Sequence, residues 1–360
     1  MKIVKRTGKK LWVLFNSAIV YLAKNNSNIN NSGIKIYYGG AYKGDVGGPL
    51  VKVKRLAENF PEHRFDFNLL YCLSNSPYLS EGSLEKIKHK NIPIILNQNG
   101  VYFPGWYGNG WQKQNEKLKP AYHLADHVFW QSEFCQEAAN KFLGKRKSSS
   151  EILYNAIDTA KFSPINKVNN EFTFLTTGVF IDSMLYRLIA TIEAFYLFQK
   201  KQRDTRLTIA GYISKKSKVK INDLISTREL EKKITIFGSY SQAIAPSIYA
   251  NSDAYIMLKH MDASPNVVIE AMACGLPVIY SASGGVPELV GQKAGIGLLV
   301  ENSWESKPHA PEPQLIAEAM SRIMENQKAF SMHARSRAVG EFDLKKWIFK
   351  HEEIFLKYAN

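Results

Sequence analysis

Cysteine is scarce in this chain, with three in 360 residues, at Cys72, Cys135 and Cys274, and no C-x-x-C pair among them. An odd, scattered set leaves no basis for a disulfide framework or a thiolate zinc cluster, and it fits a reducing compartment. The eight histidines form no H-E-x-x-H. His123 and His127 stand four apart with no further ligand type alongside, so no metal site is expected there. Acidic residues are also few, 32 Asp and Glu against 47 Lys and Arg. No apolar run reaches the roughly 20 residues that a membrane-crossing helix needs. The run at residues 11–23 is interrupted by Asn16 and Ser17 and leads to no convincing small-residue cleavage site.

What is present is ordinary globular material, 45% hydrophobic and 22% charged, long enough for two domains with their own cores. The net charge of +15 is uneven, since residues 1–60 hold eleven Lys or Arg against two Asp or Glu. Such a bias points to an anionic partner: lipid headgroups, nucleic acid or a charged acceptor. No nucleic-acid-binding motif accompanies it, so no nucleic acid is expected. Residues 1–33 read as a basic and apolar N-terminal extension, forming an amphipathic or packed helix that touches an anionic membrane surface. A solubilising surface is the plainer alternative.

The most informative stretch is residues 259–291. Apolar residues 254–258 predict a buried strand, residues 266–274 a short helix, and residues 278–280 the next strand. Gly275 suits the position just past the helix end. Pro265 suits the first helical position and Ser264 the N-cap, which would leave the amides of Asn266 and Val267 as an anion site. Asp262 falls in the loop before the helix and Glu270 inside it, both at the carboxyl edge of the sheet, where open α/β folds bind ligands. Gly284 and Gly285 form a second glycine loop at the next strand end, with Glu288 just beyond. Taken alone, Glu270 as a solvated helix residue is an equally good account.

This stretch resembles the nucleotide-sugar site of family-4 glycosyltransferases with the GT-B fold, the group 1 glycosyl transferases. Their pattern is a carboxylate, seven residues, a Glu, an apolar-Gly-x-Pro strand and a Gly-Gly-x-x-Glu loop. Here it is Asp262, Glu270, Gly275-Leu276-Pro277 and Gly284-Gly285-Val286-Pro287-Glu288. The first position is usually Glu and is one methylene shorter in this chain. The likeness runs over residues 34–358, densest at 259–291 and thinnest at 178–187.

The resemblance implies an α/β architecture of two Rossmann-like domains facing a central cleft. Residues 34–163 would form the N-terminal acceptor domain, with helix 343–358 packing back onto it, and residues 171–340 the nucleotide-sugar domain. Residues 39–49 form a glycine loop after the first strand, in which Gly47 and Gly48 match a donor-facing pair and Asp45 lies nearby. Residues 97–111, rich in glycine and aromatics, read as a long loop. Asn99, Tyr102 and Trp106 are its acceptor candidates, because sugar rings stack on aromatic faces; a packed Ω-loop suits the same composition equally. Relatives place a His near here; Asn97, Gln98 and Asn99 stand instead. Residues 123–134 match an Ala-Asp, strand, Ser-x-Phe step, and Asn155, Asp158 and Phe162 match the segment that closes the first domain.

One departure is large. Relatives carry an Arg after the glycine of the first strand of the second domain, and a Lys soon after, both gripping the diphosphate. Here Val179 follows Gly178, and the first cation is Arg187. Lys259, then Arg187, then Lys215 and Lys216 are the replacements in order of preference.

By resemblance, Asp262 and Glu270 form the catalytic pair, Glu270 holding the ribose and Asp262 the sugar hydroxyls, with no metal or other cofactor. The expected activity is retaining transfer from a nucleoside-diphosphate sugar to a glycan or lipid-linked acceptor in cell-surface polysaccharide synthesis. The place is the cytoplasm, at the inner face of the membrane as a peripheral protein. The alternative is a divergent GT-B protein, either a sugar-binding scaffold or a nucleotide-sugar epimerase.

Overall fold

The structure, a computed structural model, describes residues 2–24, 33–44, 48–75, 77–165 and 171–359. It divides into two compact units, Met1–Tyr154 with Lys345–Asn360, and Asn155–Leu344.

The first unit opens with α1 (Lys2–Leu22) and then alternates strand and helix. Its elements are β1 (Ile36–Tyr37), α2 (Gly48–Asn59), β2 (Leu69–Leu73), α3 (Glu81–His89), β3 (Ile94–Gln98), α4 (Pro104–Tyr107), α5 (Trp111–Asn115), α6 (Lys119–Leu124), β4 (His127–Trp130), α7 (Glu133–Phe142) and β5 (Ser149–Ile152). The strands form a parallel sheet in the order β1-β2-β3-β4-β5. β2 and β3 are buried along their whole length, so β2 and the start of β3 read as continuous apolar runs rather than alternating ones, and β3 ends on the buried polar pair Asn97 and Gln98. Ser132 ends the strand step by capping α7, its Oγ accepting from the Cys135 amide at 3.0 Å. The chain's last helix, Leu344–Ala359, belongs almost wholly to this unit. Its His351 Nε2 lies 2.9 Å from Tyr71 Oη, and Phe355 packs edge-on against Phe60.

α1 has two unlike faces. Ile19 and Val20 are buried, while Leu11, Leu14, Phe15, Tyr21 and Leu22 are exposed. Trp12 Nε1 donates to Gly40 O at 2.9 Å, Ser83 Oγ to Ser17 Oγ at 2.9 Å, and Tyr37 Oη to Asn16 Oδ1. Residues 97–111 are not one loop: α4 and the start of α5 interrupt it, Pro104 supplying a preset helical φ at the first position of α4.

The second unit contains β6 (Phe172–Phe180), α8 (Leu185–Gln199), β7 (Thr205–Ile213), α9 (Lys215–Thr227), β8 (Ile234–Phe237), α10 (Ala245–Ala250), β9 (Ala254–Met257), α11 (Asn266–Ala273), β10 (Val278–Ser281), α12 (Val286–Val290), β11 (Gly295–Leu298), α13 (Pro313–Glu325) and α14 (Gln327–Glu341). Its parallel sheet has the order β11-β10-β9-β6-β7-β8. Strands β6 to β8 run outward one way and β9 to β11 the other, so the order reverses between β6 and β9. The core packs Phe174, Phe195, Ile209, Ile256, Ile279 and Met320 between sheet and helices. A reversal of this kind opens a crevice at the carboxyl ends of the two central strands. The first unit's described strands run in sequence without one.

Candidate functional site

The polar residues of the second unit gather at that reversal. Past β9 the chain makes a turn in which Met261 takes a left-handed φ of +49° and donates its amide to Ser283 Oγ at 2.9 Å. A non-glycine residue adopts that conformation only where its surroundings hold it. The turn sets Asp262, whose Oδ2 lies 2.7 Å from Lys259 Nζ, with side-chain exposures of 14% and 32%. Asp262 Oδ1 accepts from the Ser264 amide at 3.3 Å, and its carbonyl accepts from the Gly285 amide at 2.8 Å. A Cβ on Gly284 would stand 2.5 Å from that same carbonyl, and its φ is +67°. Only glycine lets the two loops meet.

α11 starts at Asn266, as the apolar pattern predicts, but its cap differs from the expected one. Pro265 is the N-cap, not the first helical residue, because its ψ of 117° is extended. Ser264 therefore does not cap the helix: its carbonyl and Oγ accept from Asn155 Nδ2 at 3.1 and 3.2 Å instead. Asn266 and Val267 open the helix, where first-turn amides have no carbonyl of their own helix to bond. Asn266 Oδ1 is buried without a hydrogen-bond partner.

Glu270 is 4% exposed, which removes the solvated-helix alternative. Tyr249 Oη donates to its Oε2 at 2.9 Å, and Gln242 Nε2 reaches Oε1 at 3.4 Å. Burial, then the Glu270 charge, holds the Tyr249 phenol well above its ordinary pKa, so it stays a donor. Thr177 of β6 joins this cluster through Tyr249 and Tyr255, at 3.1 and 2.9 Å.

Arg187 lies on α8, 4% exposed, against the end of β6. Its Nη2 reaches Thr177 O at 3.4 Å, its guanidinium lies 4.9 Å from the Phe180 ring centroid, and Nε has no partner. The neighbouring Tyr186 accepts the His260 amide at 3.0 Å, and its phenol feels both Arg187 and Asp262. Lys216 is occupied elsewhere, 4.0 Å from Asp182, and Lys215 is exposed at the start of α9. Glu288 sits in α12 with its carbonyl accepting from Arg337 at 2.7 Å.

The first-unit candidates stand apart from this group in the chain. Gly47 and Asp45 lie outside the described residues, and Gly48 begins α2. The Asn99 amide donates to Ser74 Oγ at 2.9 Å. Asn115 clamps the Tyr102 backbone with two bonds, at 3.0 and 2.8 Å, and Trp106, 44% exposed, stacks on Tyr102 at 5.3 Å. Tyr249, Gln242, Tyr186, Ser283 and Asn155 escaped the sequence reading as site residues. All but Ser283, which follows β10 inside that stretch, reach the site from other elements, and no spacing motif links those four to residues 259–291.

The model of the family glycosyl transferases group 1 matches residues 159–338, half of the chain. The protein belongs to that family. Solved structures carry the likeness over more of this group 1 glycosyl transferase. Sucrose-phosphate synthase of Thermosynechococcus elongatus aligns with TM-score 0.64 and 18% identity over 82% of this chain and 74% of its own. HepE of Anabaena, solved with UDP, gives 0.63 and 19% over 86% and 82%. A glycosyltransferase from Rickettsia africae gives 0.63 and 19% over 88% and 84%. HepE has also been solved with UDP-glucose. At these identities the likeness establishes the fold, that of the GT-B glycosyltransferases. No curated protein matches the chain in sequence.

Proposed function

We propose that this group 1 glycosyl transferase moves a sugar from a nucleoside-diphosphate sugar, with retention of configuration, to a glycan or lipid-linked acceptor in cell-surface polysaccharide synthesis. The observation that carries the reading is Glu270: a carboxylate buried at the sheet reversal and oriented by Tyr249 and Gln242, the kind of acceptor a ribose diol needs. Asp262, fixed by Lys259 and by the Gly284 loop, is the partner for sugar hydroxyls. The amides of Asn266 and Val267, Lys259 and Arg187 are the groups that offset the diphosphate charge as it develops. In the step, the bond from the anomeric carbon to the phosphate oxygen breaks with its electron pair on the diphosphate. The acceptor oxygen bonds to that carbon on the same face, and its proton passes to the departing phosphate. The binding of UDP-glucose by HepE supports a donor of this class. Gly47 and Gly48, with Asn99, Tyr102 and Trp106, are the first unit's contribution. The unpartnered apolar face of α1 supports peripheral attachment at the cytoplasmic face of an anionic membrane; among the described residues no helix is long and apolar enough to cross one.

The test is a thermal-shift panel of nucleoside-diphosphate sugars followed by donor turnover. A ligand at 100 times its dissociation constant stabilises by about 2.7 kcal/mol. Stabilisation by one donor, with release of its nucleoside diphosphate, is expected. No stabilisation by any donor or free diphosphate would end the reading.

A further inference from the structure

The first unit holds a cavity of about 720 Å³. Its volume lies within the ~300–1,000 Å³ of small-molecule sites. Val13, Leu14, Leu73, Leu79, Leu84 and Leu118 form its apolar wall. It sits at the carboxyl ends of β1 and β2, where Gly39 and Ser74 border it. Ser74 also anchors the acceptor loop through the Asn99 amide.

The charged residues lining the cavity are Lys10, Lys113, Lys117 and Glu81. Glu81 falls in the first turn of α3, where the helix dipole already favours a negative charge. The three lysines are less satisfied. Lys117 Nζ reaches only Gln114 Oε1, at 2.7 Å, and Lys10 and Lys113 pair with no carboxylate among the described residues. A sugar or a nucleotide would leave its hydroxyls unmatched against the leucine wall, which is costly. A hydrocarbon chain gains with every methylene it buries. Lysines without an acidic partner at the same cavity call for an anion. The two demands are met together by an amphiphile with an apolar tail and a phosphate head. The exposed apolar side chains Leu11, Phe15 and Leu22 share α1 with the lining residues Val13 and Leu14, giving such a tail an apolar path from a bilayer.

We propose that this cavity holds the hydrocarbon chain of a lipid-phosphate acceptor, with Lys10, Lys113 and Lys117 at its phosphate. The acceptor role rests on the transferase reading above; the site itself does not.

Calorimetric titration of the full chain with decyl phosphate, kept below its micelle concentration, tests it. One molecule should bind per chain, decanol should bind at least tenfold more weakly, and inorganic phosphate should not bind measurably. Ala121→Trp, which fills the cavity, should weaken decyl phosphate at least tenfold, as should the exposed pair Lys113→Glu with Lys117→Glu. UDP binding, measured on the same samples, should be unchanged in all variants and reports the fold of the second unit; circular dichroism reports the whole. If Ala121→Trp fails to fold, the lysine pair decides. Absence of one-to-one binding, or binding indifferent to the variants, overturns the cavity proposal while UDP binding leaves the transferase reading intact. Decyl phosphate bound with no nucleotide binding would sink the transferase reading and leave a lipid site.

Discussion

Glu270 and Asp262 are held in opposite ways, and each way predicts its own mutant. Glu270 is buried with Tyr249 and Gln242 as donors, so Glu270→Gln keeps the shape and leaves Tyr249 a partner. Thermal stability should change little, while affinity for a nucleoside diphosphate falls at least tenfold, about 1.4 kcal/mol. Affinity equal to wild type in a calorimetric titration would take Glu270 out of the site. Asp262 is paired with Lys259, so Lys259→Ala both removes a cation and leaves a carboxylate uncompensated. A charge-assisted bond contributes about 1.5–3 kcal/mol, so donor diphosphate binding should weaken roughly tenfold or more with the fold intact. Arg187 differs because its guanidinium is packed under β6 against Phe180. Arg187→Ala should lower the unfolding midpoint first, by the several kcal/mol typical of an emptied buried site. If Lys259→Ala binds normally and Arg187→Ala folds normally but binds poorly, the diphosphate grip belongs to Arg187.

Among the elements, α1 gives the clearest prediction. Deleting it would strip Trp12 from Gly40 and Asn16 from Tyr37, so loss of function after deletion would be ambiguous. Changing the outward residues is cleaner. Leu11→Ser, Phe15→Ser and Leu22→Ser together should abolish co-sedimentation with anionic vesicles at unchanged thermal stability. Wild-type sedimentation by that variant, or none by the wild type, would remove the membrane role of α1. Much of the element order was legible. Residues 254–258, 266–274 and 278–280 lie within a residue or two of β9, α11 and β10, because buried parallel strands and a glycine stop write themselves into local sequence. Gly275 takes a φ of +79°, as a residue just past a helix end does. The helix start at residue 266 is legible, but the cap is not: Pro265 serves equally as N-cap or first helical residue, and its ψ, set by the loop before it, decides. Residues 97–111 were misread because glycines and aromatics hid two short helices whose stability comes from packing, as with Asn115 on Tyr102. The setting of Glu270 could not be read at all. Tyr249 and Gln242 come from the stretch before β9, and only the fold brings them to its carboxylate.

At the scale of the whole chain, pH tests the packing of the first unit, through two buried groups. Burial pushes His351 down to about 3 from 6.5, and nearby Lys52 adds to the effect. Burial also pushes Lys52 down to about 7 from 10.5. Between pH 6.5 and 3 the unfolded chain takes up a proton on His351 that the folded chain refuses, so stability falls as pH drops through that window. Between about 7 and 10.5 the unfolded chain keeps a proton on Lys52 that the folded chain has lost, so stability rises with pH there. The cost of charging Lys52 in the interior is fully present only below about 7. Urea midpoints should therefore rank pH 5 below pH 7 and pH 7 below pH 9. Falling net charge from +15 would also help at high pH, so the wild type alone does not isolate the lysine. Lys52→Met does. Lys52 Nζ donates to Asn97 Oδ1 at 2.7 Å, but Gln131 Nε2 donates to the same oxygen at 2.6 Å, so removing the ammonium leaves no orphaned acceptor. The variant should be the more stable protein at pH 7, by the order of 1 kcal/mol or more given the 1.36 kcal/mol that each pKa unit represents, and its midpoint should rise less between pH 7 and 10. A parallel rise in both proteins, or a lower midpoint for the variant at pH 7, would mean that Lys52 stays charged in the folded chain.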